Sequence, residues 1–125
     1  MRDLYSNLAV ALALAPAVLT AAANGATVDV SAASGVVFMV ETGAIVGSGV
    51  FGAKLQESAD GSTWADVPAK WVQSNGPAIL AASSVYRLGY TGKLKFARLV
   101  IPYTSGTSIA LGAVAVMKPH KLPVA

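Results

Sequence analysis

Hydrophobic and polar residues along the chain alternate mainly with the two-residue period of β-strands. In residues 26–31, ATVDVS, Val28 and Val30 flank Asp29, which predicts a short strand with one face in water. Residues 84–92 and 93–103 alternate in the same way, with a turn predicted at Thr91-Gly92 between them. Residues 35–42, GVVFMVET, are instead a nearly continuous apolar run, which predicts a strand buried on both faces.

The clearest local signal is a predicted β-hairpin over residues 52–67. Its turn is Asp60-Gly61, a pair that readily adopts the positive φ angles of tight turns. Upstream, GAIVGSGVFG at 43–52 predicts a strand end, a flexible loop and a strand start. Downstream, residues 69–84 predict a connection with at most one helical turn, and IALGAVAVM at 109–117 predicts the last strand.

Short strands separated by Gly, Pro, Asn and Ser turns predict an all-β domain, a β-sandwich or jelly roll. The chain has 125 residues, the length of one domain. We predict an extended apolar N-terminal arm over 1–24, a β-sandwich domain over 25–117 and an extended C-terminal tail over 118–125. The tail contains two prolines, which disfavour helix.

The apolar run LAVALALAPAVLTAAA at 8–23 has three interpretations: a secretory leader, a membrane span or a retained arm. A leader begins with a positively charged segment, but Asp3 cancels Arg2. A membrane helix needs about 20 apolar residues, and this shorter run is interrupted by Pro16. We therefore expect an arm that is retained without signal-peptide cleavage and covered by other protein. Deleting 1–23 is then expected to leave the β domain folded.

The composition also favours burial against other subunits. Apolar residues make up 54% of the chain and charged residues 12%, against about 25% charged in average soluble domains. A chain of this size with so many apolar residues is expected to leave some of them on its surface. Such a surface needs a protein partner, because large apolar patches are rarely left bare on monomers. The predicted interface consists of the large apolar side chains of the arm: Leu4, Tyr5, Leu8, Val10, Leu12, Leu14, Val18 and Leu19.

Charge is divided unevenly between the two halves of the chain. Residues 1–66 contain two basic and six acidic residues, a net charge of −4, whereas residues 67–125 contain seven basic residues and no acid, a net charge of +7. The basic residues are dispersed, so direct nucleic-acid binding is not expected. Contact between the acidic part of one subunit and the basic part of another explains the division, and predicts assembly that weakens at high salt.

The sequence offers no convincing catalytic, cofactor or metal site, and we expect a protein that is not an enzyme. It has no cysteine, and its single histidine, His120, lies in the predicted tail, where nothing holds it as a general base. Asp60, Ser62 and Thr63 resemble calcium ligands, but a calcium loop needs more carboxylates at spaced positions. A hairpin turn accounts for them better.

Four segments together resemble a family of small virion proteins of tailed bacteriophages and prophages, which are encoded among the head genes. They are the opening MRDLYSNLAVALALAPAVLTAAANG, the central KLQESADGSTWADVPA, the block SVYRLGYTGKLKFARLVI and the short Pro/His/Lys tail. The chain departs from the family pattern in the more apolar GVVFMVETGAIVGSGVFGA at 35–53, where many relatives have a more polar turn.

This resemblance implies a capsid cement or decoration protein that binds the outside of the head and clamps neighbouring major capsid subunits. It also implies synthesis in the host cytoplasm and a homotrimer at local three-fold positions, with no membrane or cofactor. Two other functions remain open. One is a head–tail neck or tail structural component. The other is a receptor- or carbohydrate-binding module, provided that Trp64 or Trp71 is exposed.

Overall fold

The computed structural model describes residues 8–31, 33–74 and 79–119, and within these ranges the protein is all-β, as predicted. Every strand pairing in them is antiparallel. In the described part of the connection predicted over 69–84, one 3₁₀ turn, Ala69–Trp71, is followed directly by a short strand, Val72–Ser74, which the sequence did not predict. The strands are β1 (Ala9–Leu19), β2 (Ala23–Asn24), β3 (Val28–Asp29), β4 (Ala33–Val46), β5 (Val50–Phe51), β6 (Lys54–Ser58), β7 (Ala65–Asp66), β8 (Val72–Ser74), β9 (Val85–Tyr90), β10 (Phe96–Ile101), β11 (Tyr103–Ser105) and β12 (Ser108–Pro119).

Two sheets have five strands each. The sheet with the longer strands, in the order β1-β12-β4-β9-β8, is called the five-stranded sheet, and the other is called the second sheet. The two long strands of the five-stranded sheet, β12 and β4, lie side by side in the middle, where alternate β-branched residues pack well on a pleated surface. One edge is β1, and the other is the three-residue β8. The long strands therefore fix a broad sheet surface onto which the N-terminal strand is added.

The second sheet has the order β2-β10-β6-β7, and β3 also pairs with β10. The predicted hairpin is confirmed by the pairing of β6 with β7 through Gln56 and Asp66. Its turn is longer than the predicted tight turn, because residues 59–64 separate the two strands and, of the pair Asp60-Gly61, only Gly61 has a positive φ, 81°. A two-residue strand, β5, pairs with β11 in a third, small sheet.

One hydrophobic core is formed by the inward residues of the two larger sheets. Phe38, Leu99 and Ile109 are completely buried, and Leu55 is almost so. They belong to a single cluster with the inward residues of β1, β3 and β9. Val28 and Val30 are buried while Asp29 is exposed, which confirms the alternation predicted for residues 26–31.

The prediction that residues 35–42 are buried on both faces is wrong. Val36, Phe38 and Val40 are buried, but Val37 and Met39 remain partly exposed. The reason is that the core covers only one side of β4, and no described segment packs on the other. The turn at Thr91-Gly92 connects two different sheets, because β9 belongs to the first sheet and β10 to the second.

The described part of the predicted arm is built into the sheets. Ala9–Leu19 form β1, whose Ala13 is completely buried, and Ala23–Asn24 form β2. Of the predicted tail, Lys118 and Pro119 end β12, and residues 120–125, including His120, lie outside the described ranges. Among the helices of the described residues, none is long and apolar enough to cross a bilayer.

Candidate functional site

The most distinctive surface is the outer side of the five-stranded sheet, which we call the apolar face. Inward positions of β1, β12, β4 and β9 are buried in the core, so the alternate positions point away from it. Across four strands, five of these large side chains are exposed and three are half-buried. The apolar face comprises Val10, Leu12, Val18, Val37, Met39, Val85, Val114 and Val116.

Cross-strand register aligns these residues in rows. In one row Leu12 lies opposite Val114, and Val114 lies opposite Met39. In the next row Val10 lies opposite Val116, and Val116 lies opposite Val37. Directly opposed side chains in antiparallel sheets are close enough to touch, so the two rows form a continuous apolar strip.

A shallow depression of about 780 Å³ lies in the apolar face. It is lined by residues from β1, β12, β4 and β9, including Leu12, Val18, Met39, Val85 and Val114. The register of β1 against β12 shifts twice, between Leu12 and Leu14 and between Leu14 and Ala17, around Pro16. Such irregularities bend a strand, and this one shapes one side of the depression.

Charged groups are sparse on this surface. Glu41 lines the depression, and Arg87 lies opposite Met39 at the end of the first row. Both side chains are exposed. A surface with a wide apolar centre and few charges is suited to contact with another apolar protein surface, because releasing water from it is the main favourable term available.

The structure separates the predicted interface residues into two groups. Val10, Leu12 and Val18 are exposed at 72%, 56% and 67% and belong to the apolar face. Leu14 and Leu19 instead pack against the core, and Leu8 is half-buried. Leu4 and Tyr5 lie outside the described residues. The N-terminal segment therefore supplies both surface and core.

Several residues of the apolar face were not predicted from the sequence. Met39, Val85 and Val114 come from strands that looked like ordinary core strands. The available signal was in GVVFMVET and GAVAVM, where apolar residues occupy both sets of alternating positions. A strand with only one buried face needs just one such set, so the second set marks either a second layer or a binding surface.

The outer side of the second sheet is polar by contrast. The guanidinium of Arg98 donates to Gln56 Oε1 at 2.7 and 3.0 Å, and Gln56 Nε2 donates to Asp66 Oδ1 at 3.0 Å. Lys54 Nζ lies 3.2 Å from the Asp66 carboxylate. These bonds, that from Gln56 first, hold the pKa of Asp66 below its usual value.

The two tryptophans are half-buried, and each has at least one cation over its ring. Arg98 lies 4.4 Å from the ring centroid of Trp64. The ammonium groups of Lys70 and Lys93 lie 5.2 and 5.8 Å from the ring centroid of Trp71. Rings covered in this way present less free surface for stacking a sugar, so this geometry does not favour a carbohydrate site.

The hairpin carboxylates serve the turn. Asp60 Oδ1 accepts hydrogen bonds from the backbone N–H groups of Thr63 and Ser62 and from the Ser58 hydroxyl, which lower the pKa of Asp60 to about 2. Glu57 accepts a 2.8 Å bond from the Tyr90 hydroxyl. Across the described ranges, no three His, Cys, Asp or Glu side chains cluster where they could hold a metal ion.

Comparison of the chain with protein-family models, curated proteins and solved structures gave no match in any of the three.

Proposed function

We propose that the chain is a non-enzymatic capsid cement or decoration protein of a tailed bacteriophage, bound on the outside of the head. The observation that carries this proposal is the exposed apolar face of the five-stranded sheet. The sequence resemblance to small virion proteins supplies the partner, the major capsid protein. A clamp needs a surface that gains free energy on contact, and it needs no reactive group.

The size of the apolar face sets how such a clamp can work. Fully burying a Val or Leu side chain contributes roughly 1.5–3 kcal/mol, and the exposed members of this face have about half of their surface left to bury. Summed over the five exposed side chains of the apolar face, burial would contribute about 5 kcal/mol. This is similar to the smallest estimates of the free-energy cost of association. Stable binding therefore requires additional contacts, as when one protein touches several capsid subunits at once.

Two finer features belong to the same proposal. The two larger sheets contribute to one core, which supports a β-sandwich or jelly-roll arrangement. On the shell, we propose that the copies group as homotrimers around local three-fold positions, so that each copy presents the same face to an equivalent neighbour. Contacts between acidic and basic surfaces would then add a salt-sensitive term to binding.

The test is reconstitution on heads that lack this protein. Purified chain is added to such heads, and the bound copies are counted and located by electron microscopy. A cement protein saturates at hundreds of copies on the outer shell and raises the temperature at which heads release DNA. Occupancy limited to one vertex, at about a dozen copies or fewer, would instead assign the chain to the neck or tail. Absence of binding to heads would contradict the proposal.

A further inference from the structure

The first half of β1 is an open sheet edge. β1 pairs with β12 on one side, and among the described strands none pairs with its other side. Alternate residues of an antiparallel strand point their N–H and C=O groups away from the paired neighbour. An edge of this kind is a template for adding another strand.

The second half of β1 is closed to such addition. The Ala13 carbonyl already accepts a 2.7 Å hydrogen bond from the Ala26 N–H. Gly25 packs so tightly there that a Cβ would lie 2.5 Å from the same carbonyl oxygen. Pro16 has no N–H to offer. The open edge is thus confined to residues 8–12.

This open edge lacks the usual protection against pairing. Natural edge strands commonly carry lysine or other charges, proline or a bulge that discourages addition of a second strand. Residues 4–28 contain no charged side chain, and both Pro16 and the register shifts of β1 lie beyond residues 8–11. The edge is therefore uncharged and regular just where it is open.

The sequence of the open edge is a palindrome, LAVAL. An antiparallel pair of identical strands is related by a two-fold axis, so its two halves must be mutually complementary. With the axis at Val10, Leu8 of each copy lies opposite Leu12 of the other, and Ala9 lies opposite Ala11. Large residues then share one side of the joined sheet and alanines share the other.

The exposure of Val10 is consistent with this pairing. At 72%, Val10 is the most exposed large hydrophobic residue of the described chain, and it stands at the rim of the apolar face. A second copy of β1 would cover it and would continue the row of Val10, Val116 and Val37 into the same row of the second copy. Pairing would thereby double the width of the apolar face.

We propose that two copies of this chain associate through antiparallel pairing of residues 8–12 about a two-fold axis at Val10, which joins two five-stranded sheets into one. The proposal goes beyond the capsid role, because it concerns the free chain. On a shell, the same contact would lie between neighbouring trimers. Head binding by a strictly monomeric chain would overturn the pairing and leave the capsid role intact.

A cysteine crosslink tests the geometry. The natural chain has no cysteine, so Val10→Cys introduces a single thiol that lies directly opposite its equivalent. Opposed Cα atoms in antiparallel strands are about 4.5–5.5 Å apart, within the range that a disulfide spans. Mild oxidation should convert Val10→Cys to a covalent dimer. Val18→Cys, exposed on the same strand beyond the bulge, is the matched control and should remain uncrosslinked.

A charge exchange tests the energetics. Val10→Lys and Val10→Glu each place like charges opposite one another and should weaken the dimer about tenfold or more, while an equimolar mixture should form a mixed dimer. Masses are read by light scattering and native mass spectrometry, and circular dichroism verifies folding. A natural chain that is monomeric or trimeric at high concentration, equal crosslinking of Val18→Cys, or failure of the mixture to pair would each overturn the proposal.

Discussion

The two larger sheets present outer faces of opposite chemistry. On the second sheet, Arg98, Gln56 and Asp66 lie opposite one another on β10, β6 and β7, and each is hydrogen-bonded to the next. On the five-stranded sheet the corresponding row begins with Leu12, Val114 and Met39, which have no polar atoms to pair except the weak thioether. In both rows the side chains are brought together by direct cross-strand pairing.

The difference shows which surface requires another molecule. The polar row is satisfied within the chain, since every member has a partner on the neighbouring strand. The apolar row can lower its free energy further only by losing contact with water, and the chain supplies no described segment to cover it. Function is therefore expected to depend on the apolar row. The polar row is expected to contribute mainly to stability and solubility.

The largest effect is expected from deleting residues 1–19. The sequence alone suggested that removal of the arm spares the β domain, but the structure leads to the opposite expectation. Deletion removes the buried Ala13, uncovers Leu111 and Ala113 on β12 and leaves β12 as a long apolar edge. We expect the truncated chain to lose cooperative unfolding, measured by circular dichroism, and to aggregate, measured by light scattering.

A chain that begins at residue 8 is the matched control for this deletion. It removes residues 1–7 and keeps all of β1, so the domain should still fold and unfold cooperatively. A stable, monomeric domain after deletion of 1–19 would mean that β1 is a detachable arm, as first expected, and that the core does not depend on it.

The strands could be predicted because the alternation of apolar and polar residues is a local pattern. The apolar face could not be predicted as a whole, because it depends on pairing between strands that are distant in the sequence. The alternation of Val28, Asp29 and Val30 predicts which of the three are buried, and Asp60-Gly61 predicts a turn from these two residues alone. Nothing near Leu12 indicates that β1 pairs with Val114, almost at the other end of the chain. The three residues that β1 contributes to the candidate surface could thus be proposed from the sequence, and the five from the other strands could not.

The same limit explains the error over residues 35–42. An apolar run specifies that both faces of a strand avoid water, but it does not specify whether the second cover comes from the same chain. In β4 the core covers Phe38, and Met39 is left partly exposed. An apolar strand in a small protein is therefore ambiguous between a buried middle layer and a binding surface.

The second-largest effect is expected from a charge at the centre of the apolar face. Val114→Asp places a carboxylate between Leu12 and Met39, where a bound partner would strip it of water. We expect head binding to weaken about a hundredfold or more, while the unfolding midpoint falls only modestly, because Val114 is 41% exposed and a carboxylate there reaches water in the free chain. Binding is measured by cosedimentation with heads.

Thr104→Asp adds the same charge on the exposed strand β11 and is the matched control. It should bind heads like the natural chain. Equal weakening by both variants would show that net charge, and not the apolar face, governs attachment.

A smaller effect is expected from the hydrogen bond between the two sheets. Tyr90→Phe removes the donor to Glu57 and should cost about 1.5 kcal/mol of unfolding free energy, measured in urea. Tyr103→Phe, whose hydroxyl bonds to Gly106 at an exposed position, is the control and should cost less than about 0.5 kcal/mol. Equal losses of unfolding free energy in the two variants would show that the bond to Glu57 stabilises the fold no more than the exposed bond to Gly106 does.

Alkaline titration tests the same bond independently. Burial, followed by the bond to Glu57, raises the pKa of Tyr90 from 10.0 to about 12. Because the folded-state pKa lies above the unfolded value, the stabilisation is fully present below pH 10 and is lost as the pH rises through about 12. Tyr90→Phe should flatten this alkaline decline, and an unchanged decline would assign it to other groups.

The smallest effect is expected at the hairpin turn, on the polar side of the molecule. The pKa of Asp60 is lowered from 3.8 to about 2, chiefly by the Thr63 and Ser62 N–H groups. Its contribution is therefore present above about pH 4 and is lost as the pH falls through about 2. Asp60→Asn keeps an acceptor oxygen but cannot titrate, so its unfolding midpoint should fall less steeply with acid than that of the natural chain. Asp60 lies on the hairpin and outside the apolar face, so a head-binding affinity that follows the Asp60 titration would place the binding surface on the hairpin side.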